Sequence, residues 1–193
     1  MNDPLRDRRN LADLASNGQV IEIAGVVGDF GRLVGVVSSD LDALDAEETP
    51  ADWRKLPVTG KLQFDAVQGD GRAARLSGEL EATLVSVCQR CLKPFEWTLA
   101  TTISLVLVEA GGTGGSHDGF EVWELDGSDA RPAEIVDEAL VMAMPLSVRH
   151  DELDDCVDLR SGDAPVLASA ATGERMTTPF AGLAGQMGKG TKD

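Results

Sequence analysis

The chain has 193 residues, 42% hydrophobic and 26% charged, which is enough apolar material for one packed domain and excludes a fibrous repeat or a wholly disordered polymer. Its 33 acidic residues against 17 Lys and Arg give a formal net charge of −16, a field that repels polyphosphate over most of the surface and favours a cationic partner. Aromatic residues make up only 4% and Tyr is absent, so a stacking platform of the kind that reads single-stranded nucleic acid has little to draw on.

Residues 1–18 mix charges and hold no apolar run that would serve as a signal segment, and 5–15 form an Arg-studded amphipathic pattern stopped by Asn17-Gly18, a short helix. The basic cluster Arg6, Arg8 and Arg9 reads as solvated surface. Two short strands are expected next, one over 20–27 and one over 33–37, separated by the turn-forming Gly28-Asp29. The acidic stretch 39–52, with Asp40, Asp42, Asp45, Glu47, Glu48 and Asp52, reads as a solvated loop.

The clearest periodicity starts at 56. Val58, Gly60, Leu62, Phe64 and Ala66 alternate with Thr59, Lys61, Gln63 and Asp65, the period-2 signature of a half-buried strand. Gln68-Gly69-Asp70-Gly71 is a hairpin turn. A second strand carries Ala74, Leu76, Gly78, Leu80, Ala82 and Leu84 on one face and runs on to Cys88. A third places Phe95, Trp97, Leu99, Ile103, Leu105 and Leu107 on one side. The three make a meander over 56–110. A Gly-rich loop at 111–119 follows, too poor in Lys to cradle phosphate, and Phe120, Val122 and Leu125 suit a short edge strand. A helix over 132–144 opens on Pro132, buries Ile135, Val136, Ala139, Leu140 and Ala143, and ends at Pro145. The expected fold class is α+β: an antiparallel meander curved into an open sheet or partial barrel, with that one main helix packed across it, in a single domain over 1–160. Residues 161–193, rich in Ala, Gly, Ser and Thr, read as a mobile tail with a docking motif at 179–183 that includes Phe180.

Chemistry concentrates at Cys88-Gln89-Arg90-Cys91. A two-residue spacer at a hairpin tip lets two thiolates converge on one tetrahedral ion, as in half of a zinc knuckle. His150 and Cys156, beyond the helix, are the best candidates for the remaining ligands, with His117 a weaker substitute. Two readings stand: one Zn²⁺ held by Cys88, Cys91, His150 and Cys156, or Cys88 and Cys91 as small reduced residues at a strand turn with His150 on the surface. The odd count of three cysteines speaks against a disulfide framework. No catalytic residue is assigned: neither histidine sits beside a nucleophile motif, and the carboxylate pairs Asp137-Glu138 and Asp154-Asp155 read as solvated surface in so acidic a chain. Neither a small-molecule substrate nor a membrane segment is indicated, since the longest apolar runs, 103–108 and 139–146, fall short of the roughly 20 residues that span a bilayer.

Cys88-Gln89-Arg90-Cys91-Leu92-Lys93-Pro94-Phe95 after an amphipathic strand, Ile135-Val136-Asp137-Glu138-Ala139-Leu140 leading to Met144-Pro145-Leu146, the interval from His150 to Cys156, and the closing Pro179-Phe180-Ala181-Gly182-Leu183 together resemble the YceD family of large ribosomal RNA subunit accumulation proteins. The resemblance implies a cytoplasmic, non-enzymatic role in the synthesis, processing or stability of 23S ribosomal RNA. It also implies partners among large-subunit precursor components, a basic ribosomal protein above all. An alternative is direct RNA binding at the cysteine tip, with Arg90 and Lys93 as phosphate contacts and Phe180 as a further contact.

Overall fold

A computed structural model describes residues 5–67, 73–109, 120–152 and 155–156. The chain divides into two units, 1–157 and 158–193, and every described residue lies in the first. In chain order the elements are β1 (Arg9–Asn10), α1 (Leu11–Ser16), β2 (Val20–Val26), α2 (Gly31–Leu41), β3 (Pro57–Ala66), β4 (Ala73–Val87), β5 (Pro94–Glu109), β6 (Glu121–Leu125), β7 (Asp129–Ala130) and α3 (Pro132–Ala143). Five strands form one sheet in the order β2-β3-β4-β5-β6, and β1 pairs with β7 in a separate two-stranded ribbon. The fold is α+β, with an open curved sheet covered on one face by helices. The central pairs are antiparallel, whereas β6 runs parallel to β5 from Leu105↔Glu121 to Glu109↔Leu125.

The alternation in β3 to β5 sorts the two faces as expected. Val58, Leu62, Phe64, Leu76, Leu80, Leu84, Leu99 and Ile103 are buried, and meet Leu11 and Leu14 of α1, Leu33, Val37 and Leu41 of α2, and Ile135, Val136 and Leu140 of α3 in one core. The other face is polar over most of its extent, with Lys61, Gln63, Arg75, Glu79, Glu81, Thr98 and Thr102 exposed, and holds a small separate apolar cluster of Ala73, Val106 and Val108. Two glycines let the sheet coil. A Cβ at Gly60 would fall 2.4 Å from the Glu79 carbonyl oxygen, and one at Gly78 would fall 2.4 Å from that of Lys61, with Leu80 and Leu62 lying over the vacated space.

The N-terminal third departs from expectation. Residues 33–37 are not a strand but the centre of α2, which also takes in the first residues of the supposed acidic loop. The apolar run there is ambiguous, but its buried subset, Leu33, Val37 and Leu41, repeats every four residues, the helical spacing. α1 is shorter than its pattern. It starts at Leu11 with Asn10 as N-cap, the side-chain oxygen accepting from Ala12 and Asp13 N–H, and ends at Asn17 before Gly18 at φ 55°. Arg6, in the supposedly solvated basic cluster, pairs with Asp29.

α2 has no cap of its own. Phe30 precedes it with no side-chain hydrogen bond, and the donors at its start go to α3 instead: Arg32 and Leu33 N–H each donate to the Asp137 carboxylate at 2.9 Å. Glu138 pairs with the Arg32 side chain. These two acids, expected on solvated surface, hold α2 against α3, because a carboxylate satisfies both the orphan donors and the positive end of the helix. Among the described residues no helix is long and apolar enough to cross a membrane.

Candidate metal centre

The β4–β5 connection is a tight tip. Cys88 N–H donates to the Lys93 carbonyl at 2.9 Å and Leu92 N–H to the Cys88 carbonyl at 2.8 Å, with Leu92 in the left-handed region at φ 59°. Two contacts attach the tip to the rest of the domain. Gln89 N–H donates to the Val148 carbonyl at 2.9 Å, bringing in the segment after α3. Val87 N–H donates to Asp40 Oδ2 at 2.8 Å, tying the end of β4 to the last turn of α2. Asp40 is thus half-buried and structural, not part of a solvated loop.

Pro145 ends α3, and the chain turns back so that the His150 ring stacks on Phe95 at the start of β5, centroids 4.1 Å apart. This brings together all four residues singled out by their spacing. The Sγ atoms of Cys88, Cys91 and Cys156 and a ring nitrogen of His150 lie within 4.8 Å of one another. Individual separations are 4.0 Å for Cys88 Sγ to Cys156 Sγ, 3.7 Å for Cys91 Sγ to His150 Nδ1 and 3.4 Å for Cys156 Sγ to His150 Nδ1. A tetrahedral ion at about 2.3 Å from sulfur and about 2.0 Å from nitrogen sets S···S near 3.8 Å and S···N near 3.5 Å, so the cluster has the dimensions of a four-coordinate metal site. His117, the weaker substitute, lies outside the described residues, as does Phe180.

Electrostatics within the cluster are asymmetric. Burial pushes the Cys88 thiol up, but backbone N–H groups of Cys91, His150 and Arg90 overcome it and bring the thiol down to about 6. Cys156 is raised to about 11, by burial first and then by hydrogen bonding and repulsion from the other two sulfurs. Without a cation the site therefore sets a ready thiolate, Cys88, beside a Cys156 thiol that holds its proton. A dication removes that repulsion and displaces the remaining protons.

The two cations expected to project from the tip have local partners. Arg90 turns its guanidinium toward Cys156 Sγ at 3.9 Å, and Lys93 Nζ donates to Glu48 at 2.9 Å. Sequence reasoning missed Asp40 and Glu48, whose segment looked like ordinary acidic surface and offered no local signal of long-range pairing.

The cysteine tip, β5, α3 and all but the first three residues of β4 fall inside a region, residues 76–185, that matches the family model described as large ribosomal RNA subunit accumulation protein YceD, more than half of the chain. The chain belongs to the YceD family. No curated protein and no solved structure matches it. Membership assigns this YceD protein a role in accumulation of the large-subunit ribosomal RNA, and the family is not known as one of enzymes.

Proposed function

We propose that this protein is a non-catalytic, cytoplasmic accessory factor that supports 23S ribosomal RNA accumulation by binding basic proteins of the large ribosomal subunit. The observation that carries this reading is the charge. A chain at −16 attracts Lys- and Arg-rich proteins and repels RNA, and residues 121–160 alone hold twelve acidic side chains against three Arg. The pairing of Lys93 with Glu48 and of Arg90 with Cys156 also leaves the cysteine tip poorly provided with cations for phosphate. Immobilised protein should capture basic large-subunit proteins at low salt and release them as ionic strength rises. Salt-insensitive capture of naked large-subunit RNA, weakened by Arg90→Ala/Lys93→Ala, would instead establish the tip as a direct RNA contact and sink this reading.

The metal of the cluster is proposed to be one Zn²⁺. Three thiolates and an imidazole in a closed tetrahedral set are the donors of structural zinc sites, and the ion would fasten the β4–β5 tip to the segment after α3. Elemental analysis of the purified protein should find about one zinc per chain, lost in Cys88→Ser. A metal-free wild type, purified without chelator and unable to take up added zinc, refutes the assignment.

A further inference from the structure

β4 covers one side of β5 along its whole length, whereas β6 covers the other side only over 105–109. Among the described residues the β5 edge from 95 to 104 therefore has no strand partner. Exposed edges of this length are normally guarded by charge, proline, a bulge or a covering loop. Here the stretch from Thr98 to Ser104 reads Thr-Leu-Ala-Thr-Thr-Ile-Ser, uncharged and suited to strand pairing. Two depressions flank this edge, one on each face, and both are lined by Thr101 and Thr102.

The depression on the helix side, about 660 Å³, has an apolar floor of Ile103 and Leu105 of β5, Trp123 of β6 and Ala139 and Met142 of α3, with Glu121 and Glu138 also in its lining. Met142 is 76% exposed and Val122 48%, unusual for large apolar side chains on so charged a protein. The depression on the outer face, about 610 Å³, is acidic. Ala100 and Thr102 are small enough to leave a trench over β5, and Glu79 and Glu81 of β4 stand at its far side with no basic residue in the lining.

We infer that an extended segment of a basic protein adds to the β5 edge as a further strand, end to end with β6, its alternate side chains divided between the two depressions. Successive residues of a strand point to opposite faces, so the segment this edge accepts alternates aliphatic residues, seated against Ile103 and Met142, with Lys or Arg reaching over Ala100 and Thr102 to Glu79 and Glu81. Main-chain hydrogen bonds to β5 supply affinity and the two depressions supply selection. Nucleic acid does not suit the trench, whose carboxylates repel phosphate, and a second copy of the chain would oppose its own acidic face to another. The inference rests on the reading that the partner is a basic large-subunit protein, and it names the surface that partner uses.

The test uses the full chain, with total protein extracted from purified large ribosomal subunits as the probe. Wild type should retain basic proteins. Glu79→Gln/Glu81→Gln and, separately, Met142→Asp should each retain about tenfold less, the scale of a lost anchor of 1.4 kcal/mol. All three positions are exposed, so both variants should unfold with the wild-type midpoint. With the retained protein bound, hydrogen exchange over 95–104 should slow about tenfold or more. Undiminished retention by both variants with unchanged exchange over 95–104 overturns the surface and leaves the basic-partner reading standing; no retention by wild type overturns that reading itself. Slowed exchange over 95–104 produced by large-subunit RNA alone, or by raising the concentration of the chain alone, would also overturn the inference, since the occupant would then be RNA or a second copy.

Discussion

Replacing Asp137 by Ala should destabilise the domain far more than a helix-surface substitution does. Its carboxylate accepts two backbone N–H groups, from Arg32 and Leu33, each at 2.9 Å, at the start of a helix that has no cap of its own. A hydrogen bond to a charged acceptor contributes about 1.5–3 kcal/mol, and loss of a helix N-cap alone costs roughly 0.5–2 kcal/mol. Because the two bonds share one half-exposed carboxylate, the sum is expected at the low end, about 2–4 kcal/mol. For a domain of this size that is a fall of roughly 6–12 °C in midpoint. Asp137→Asn keeps one oxygen acceptor and loses the charge, so about half of that loss is expected. Urea unfolding followed by far-ultraviolet circular dichroism, with zinc held constant, measures both. Glu134→Ala, which removes an exposed ion pair with Arg131 just before α3 and one carboxylate in the helix's first turn, is the reference and should cost no more than about 1 kcal/mol. If Asp137→Ala also falls within that range, the cross-helix cap contributes nothing and the account of how α2 is held is wrong.

Glycine substitutions should divide by what a Cβ meets. Gly60→Ala puts a methyl 2.4 Å from a backbone oxygen that cannot yield and should cost roughly 1–3 kcal/mol, whereas Gly35→Ala, mid-helix with nothing within 4 Å, should stabilise by about 0.5–1 kcal/mol; chemical denaturation reads both signs. Metal removal should expose the thiol linkage. The folded Cys88 lies at about 6 against 9.0 when unfolded, so between those values the unfolded state binds the extra proton, and the metal-free protein should gain stability as pH rises from 6 toward 9. Cys156, raised to about 11, acts oppositely and should erode stability above 9. Thermal melts of the chelated protein across this range should therefore peak near 9, and Cys88→Ser should flatten the rise; an unchanged slope in that variant would refute the assignment of the thiolate to Cys88.

What could be read along the chain were features carried by neighbours in sequence. The strands β3 to β5 announce themselves because one face is buried and the other wet, which forces alternation at period two, and the Cys88–Cys91 spacing announces two thiolates at one tip. His150 and Cys156 were reachable only by elimination, since nothing near them in sequence marks them as ligands. α2 was misread for a related reason: the signal that stops a run such as Leu33, Val34, Val36 and Val37 from reading as a strand is a capping residue ahead of it, and here the cap is Asp137, 105 residues beyond Arg32. Asp40, at the other end of that helix, then accepts from Val87 N–H, the residue before Cys88. A chain of acids thus runs from α3 through α2 to the cysteine tip. The carboxylates accordingly fall into two sets: some hold helices and strand ends in place from within, and others, Glu79 and Glu81 among them, face outward from the sheet, where the proposed cationic partner would meet them. Net charge alone does not distinguish the two. The distinction is made by which carboxylates face backbone N–H groups, and it predicts that neutralising Asp40 or Asp137 weakens the fold whereas neutralising Glu79 or Glu81 weakens only binding.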